Sequence, residues 1–182
     1  VDLERIASLA AERSKATEEN QHALDQWVKT LQLSTQHSDE PRVSFYQGIT
    51  SVTRTIMETL YANEKMIYTI APAKNFFGEM GDKFKSDYVT QRNQRGIKIK
   101  SLWESPVDAK VIKTYYSNVA DIRILPASMK NAFETTAFIY DDKVLYISTK
   151  KQAYALLVTS KEQNRFMRAV FEGLWSASKQ HP

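Results

Sequence analysis

Three histidines, His22, His37 and His181, are the whole supply of imidazole in the chain. None shares helical or hairpin spacing with a carboxylate pair. A metal centre or a catalytic triad needs such groups to converge, so the expectation is no metal ligand, no catalytic residue and no cofactor. The chain has no cysteine, which excludes thiol catalysis, disulfides and zinc–thiolate clusters. Gly78 and Gly81 lie close together but inside a helical pattern, and they match neither nucleotide-binding glycine fingerprint. The most ordered arrangement of polar side chains is FETTAFIYDDKVLYIST, residues 133 to 149. There Glu134 and Thr136 open one β-rich run, Asp141-Asp142 forms a two-residue acidic turn, and Ser148 closes the next run.

The elements that position this segment follow from periodicity. Residues 2 to 34 carry no Gly or Pro and read as one long helix. A heptad started at Leu3 places Leu3, Ala10, Thr17, Leu24 and Leu31 on one row and Ile6, Arg13, Asn20 and Trp27 on its companion. That narrow seam is apolar at both ends and polar in the middle, which suits pairing with a second chain. Leu3, Ile6, Leu24, Trp27 and Leu31 are its expected dimerisation contacts. Residues 35–41 read as a polar linker, and residues 42–178 as a globular domain.

Within that domain strands and helices alternate. Val43 to Tyr46 is a short strand. Ile49 to about Asn63 is a helix with Val52, Ile56 and Leu60 at spacing four. Met66 to Ala71 is a strand stopped by Pro72. Lys74 to about Arg95 is a helix whose inner side carries Phe76, Phe77, Met80, Phe84 and Tyr88, and Gly96 ends it. Ile97 to Trp103 alternates into a strand, Val107 to about Ser117 is a helix, and Ile122 to Leu125 is a strand. The hairpin follows, then a strand from Ala153 to Thr159. A last helix is capped by Ser160 with Gln163 three residues on, and its stripe is Phe166, Met167, Val170, Phe171, Leu174 and Trp175. Strands separated by helices must cross over, so the fold class is α/β, a mixed sheet flanked by helices.

The hairpin resembles the end of a phospholipase D superfamily half-domain. There one strand carries His-x-Lys, four residues follow, and an Asp sits at the turn. With the turn set on Asp141, Glu134 falls at the place of the His, Thr136 at the place of the Lys, and Ser148 at a small hydroxyl position. That chemistry needs an imidazole nucleophile and an ammonium to hold the phosphate, so the resemblance implies a preserved frame without catalysis. A closer resemblance is to the C-terminal region of TrmB-like regulators, carried by VSFYQGITSV, RNQRGIKIKSLWE and AFIYDDKVLYIS. That family joins a winged helix domain to a helical dimerisation segment and a phospholipase D-like effector domain.

The resemblance implies the sensory and dimerisation part of a transcriptional regulator, with a homodimer and a small-molecule effector as partners. DNA would be reached only through a winged helix domain that these residues do not include. The alternative left open is a stand-alone protein-interaction module on a degenerate phospholipase D-like fold. Ligands of open α/β sheets bind beyond the carboxyl ends of the parallel strands. An effector site is therefore expected near Tyr46, Ala71, Trp103, Glu134 and Thr136.

An apolar share of 42% among 182 residues suffices for a packed domain and rules out a disordered chain. A formal charge of +4 is modest, and Lys98, Lys100, Lys110 and Lys113 read as a solvated surface. No apolar run is long enough to span a membrane, and a cytoplasmic location is expected.

Overall fold

The computed structural model of the chain describes residues 40–72, 80–106, 120–149 and 152–180. Within the unit Pro41–Pro182 the strands are β1 (Arg42–Gln47), β2 (Met66–Ala71), β3 (Lys98–Trp103), β4 (Ala120–Ile124), β5 (Thr136–Tyr140), β6 (Lys143–Ser148), β7 (Tyr154–Thr159) and β8 (Lys179–Gln180). The described helices are α1 (Ile49–Glu58), extended by a 3-10 turn at Thr59–Tyr61, α2 (Asp82–Gln94) and α3 (Lys161–Ala177). The expected long N-terminal helix with its seam, and the helix expected from Val107, lie outside the described residues.

All eight strands join one mixed sheet in the order β1-β7-β6-β5-β2-β3-β4-β8. The β2–β3 and β3–β4 pairs are parallel, and the other five are antiparallel. The expected mixed sheet flanked by helices is therefore observed. Because side chains alternate along a strand, the sheet buries both faces. In β5, Phe138 and Tyr140 join a core with Val52 and Ile56 of α1 and Tyr88 and Val89 of α2. Ala137 and Ile139 point the other way, into a second core with Phe171 and Trp175 of α3. Complete burial of a side chain such as Ile56 or Leu60 is worth about 1.5–3 kcal/mol.

Two helices differ from the sequence expectation. In the first, α2 starts at Asp82, with Gly81 breaking the expected helix there, and the part expected over residues 74–79 lies outside the described residues. Gly81 sits at φ +83, a left-handed conformation that interrupts helical geometry and that glycine adopts without a Cβ clash. Asp82 then stands in the first turn, where its charge complements the helix dipole. The far end matches expectation: Gly96 is at φ +67, and the Ile97 amide folds back to the Arg92 carbonyl at 3.1 Å.

The second is α3. Ser160 caps it as expected, its Oγ accepting from the Gln163 amide at 3.3 Å. The buried arc, however, is narrower than the apolar stripe: Phe171 and Trp175 are buried, whereas Phe166 is 62% exposed and Val170 37%. The helix is rotated so that Asn164 faces the sheet. Its Nδ2 donates to the carbonyls of Tyr140 (3.3 Å) and Lys143 (2.8 Å), and its Oδ1 accepts from Arg168 Nε (2.7 Å). A buried amide must be satisfied, and that requirement sets the roll of the helix.

Candidate functional site

Strand directions define one functional edge. β1, β2, β3, β4 and β6 all end there, while β5, β7 and β8 begin there. Trp103, Thr136, Ser148 and Tyr46 thus share an edge, and Ala71 lies beside Trp103 in register. Sharing an edge is not meeting. Neighbouring strands lie about 4.8 Å apart, so Thr136 on β5 is roughly 10 Å from Trp103 on β3. Tyr46 on the outermost strand is roughly 14 Å beyond Thr136 on the other side and about 24 Å from Trp103. The sheet groups Trp103, Glu134 and Thr136, and it holds Tyr46 apart from them.

Within that group the polar atoms are mostly committed or enclosed. Trp103 is buried, and its Nε1 donates to Ser101 Oγ at 2.6 Å. Ser101 Oγ in turn shares a 2.5 Å hydrogen bond with Thr69 Oγ1. Thr136 is 2% exposed, and its Oγ1 is buried with no hydrogen-bond partner among the described residues. Glu134, two residues before β5, is exposed. Among the described residues no cluster of His, Asp and Glu is arranged to hold a metal.

Asp141 lies at the opposite edge, in the β5–β6 turn, at φ +45. Its Oδ2 accepts from the Asn63 amide (3.1 Å) and Asn63 Nδ2 (3.4 Å), and its Oδ1 accepts from the Glu64 amide (3.1 Å). This carboxylate ties the hairpin to the turn that feeds β2. It is a structural clamp about five residues of strand, roughly 17 Å, from Thr136.

The two halves of the Glu134–Asp141 segment therefore differ in kind. A buried hydroxyl without a partner carries its full desolvation penalty, so Thr136→Val, which keeps the shape, is expected to raise stability by about 1 kcal/mol. For a domain of this size that is a Tm increase of roughly 2–4 °C, read by thermal melting. A lower Tm would mean that the hydroxyl is bound to something.

A cavity of about 610 Å³ opens elsewhere on the same edge, where β3 and β4 end and β8 begins. Glu104, Pro106, Leu125, Pro126, Lys130 and Lys179 are among the residues that line it. No sequence pattern pointed to it.

No family model matches the sequence, and no curated protein matches it. Solved structures do. NucT from Helicobacter pylori has a TM-score of 0.61 at 10% identity, over 78% of this chain and 99% of that one. Nuc from Salmonella typhimurium, a phospholipase D family member, has a TM-score of 0.57 at 14% identity over the same shares. The fold is that of the phospholipase D proteins. The phospholipase D-like fold expected from the sequence is thus observed. TrmBL2, an archaeal chromatin protein whose structure shows a novel mode of DNA binding, has a TM-score of 0.54 at 16% identity. That match covers 98% of this chain and 69% of that one. Among the described residues no helix is long and apolar enough to cross a membrane.

Proposed function

We propose that this chain is the sensory and dimerisation part of a TrmB-like transcriptional regulator, built on a phospholipase D-like frame that performs no catalysis. The observation that carries the reading is the pair at the start of β5. Where phosphodiester cleavage would need an imidazole and an ammonium, this chain has an exposed carboxylate, Glu134, and an enclosed hydroxyl, Thr136. A phosphate would be repelled by the first and would find no charge at the second.

The match to TrmBL2 supports the regulator context, because it extends over parts of the chain that the 78% matches to NucT and Nuc leave out. In this reading Leu3, Ile6, Leu24, Trp27 and Leu31 pair two copies. A small molecule acts as effector at the edge formed by Trp103, Glu134 and Thr136, where the Glu134 carboxylate favours a neutral or cationic ligand. DNA contact belongs to a winged helix domain of the kind the family joins to this region.

Two measurements test it. A chromogenic phosphodiester and nucleic acid should both remain uncleaved; turnover abolished by Glu134→Ala would sink the non-catalytic reading. Light scattering should report a dimer for the full chain and a monomer for a version that starts at Pro41. A monomeric full chain, or a dimer unchanged by truncation, refutes the dimerisation role.

A further inference from the structure

The cavity at the ends of β3 and β4 has a composition of its own. In open α/β sheets the crevice beyond the carboxyl ends of parallel strands is the favoured ligand position. β3 and β4 are parallel neighbours whose chains leave this edge as Glu104–Pro106 and Leu125–Ala127. At about 610 Å³ the cavity falls in the range of small-molecule sites. Pro106, Pro126 and Leu125 give it apolar walls, and the two prolines fix their backbone φ.

Its charges are not balanced. Lys130 and Lys179 both line the cavity, and among the described residues neither has an ion pair or a hydrogen bond from its ammonium group. Glu104 also lines the cavity and keeps its negative charge while its Oε1 accepts from the Phe133 amide at 2.7 Å, so the described lining residues carry one positive charge in excess. Lys179 is also held in place: the two-residue strand β8 pairs it with Ile124, the last residue of β4. Two ammonium groups over apolar walls suit an anion with a hydrocarbon body. No arginine is among the described lining residues, so they offer no planar fork of the kind that favours phosphate.

We propose that this cavity binds a small organic carboxylate, its aliphatic or aromatic body against Pro106, Leu125 and Pro126 and its carboxylate between Lys130 and Lys179. The cavity adjoins the Trp103–Glu134–Thr136 group through Glu104 and Phe133, but none of those three is among its described lining residues, and the proposal stands whether or not the chain is part of a regulator.

Phenylacetate and its neutral isostere phenylacetamide are the probes, titrated into the full chain and followed by amide chemical shifts. Phenylacetate is expected to shift the amides of Glu104, Ser105 and Lys130 and to bind about tenfold more tightly than phenylacetamide, as charge-assisted hydrogen bonds allow. A Lys130→Gln, Lys179→Gln double variant should lose that tenfold advantage with its Tm unchanged. Lys143→Gln, on β6, should leave it intact. Equal binding of the two probes, shifts confined to other parts of the molecule, no binding at millimolar concentration, or wild-type phenylacetate affinity in the double variant would each overturn the assignment.

Discussion

Phe171→Ala is expected to destabilise the chain by about 3–5 kcal/mol. Phe171 is fully buried on α3 and belongs to the core formed with Ile70, Leu102, Ile139 and Val144. Its ring meets Tyr68 edge-on, with centroids 5.1 Å apart, and stacks on Trp175 at 5.4 Å. Truncation removes both aromatic contacts and leaves a cavity between rigid strands that cannot close around it. Phe166→Ala on the same helix removes a ring that is 62% exposed, and its cost should stay within about 0.5 kcal/mol. Urea denaturation of the two variants makes the comparison. Equal losses would mean that α3 does not sit on the sheet in the orientation described. Because β8 follows α3 directly, loosening the helix should also weaken carboxylate binding between Lys130 and Lys179.

The acidic turn offers a second contrast, between adjacent residues of the same type. Asp141→Ala is expected to cost about 2–3 kcal/mol, because it strips three donors of a charged acceptor. Alanine is also less tolerant than aspartate of the left-handed backbone at φ +45. Asp142→Ala removes only a surface contact with Lys143 at 3.3 Å, worth about 0–1 kcal/mol. Asp141→Asn, which keeps an oxygen acceptor, should fall between them. If the two alanine variants melted together, the clamp between the hairpin and Asn63–Glu64 would be unimportant to stability.

What could be read before the structure was local. Strand positions from β1 to β7 followed from alternation and from Gly and Pro punctuation, and the Ser160 cap followed from its spacing to Gln163. What could not be read depended on partners distant in sequence. Asn164 looks like an ordinary polar position on a helix until the carbonyls of Tyr140 and Lys143 are beneath it, and those carbonyls turn Phe166 outward. Gly81 looks like a tolerated interruption because a periodic pattern carries no φ angle. Tyr46 entered the expected site because strand ends could be assigned to one edge, whereas strand order could not be. The 3.4 Å rise and 4.8 Å spacing of a sheet then separate residues that a linear reading groups together. The lysine-lined cavity was invisible because Lys130, on a turn, and Lys179, on a two-residue strand, come to line one cavity only through the β4–β8 pairing.

That same strand order constrains how the chain can be made. β1 is the first described strand in sequence, yet its partner in the sheet is β7. The partner follows by about 110 residues, so closing this pair carries a long-loop entropy that local contacts do not offset. On a ribosome adding about 5–20 residues per second, β1 would wait roughly 5–20 s for its neighbour. Through that interval Val43 and Phe45 are presented on an unpaired strand, the kind of segment that captures the wrong edge. Arg42 at the start of β1 and Pro41 just before it put a charge and a missing amide at the point where such mispairing would begin. The newborn chain is thus most vulnerable to aggregation until β7 has been synthesised.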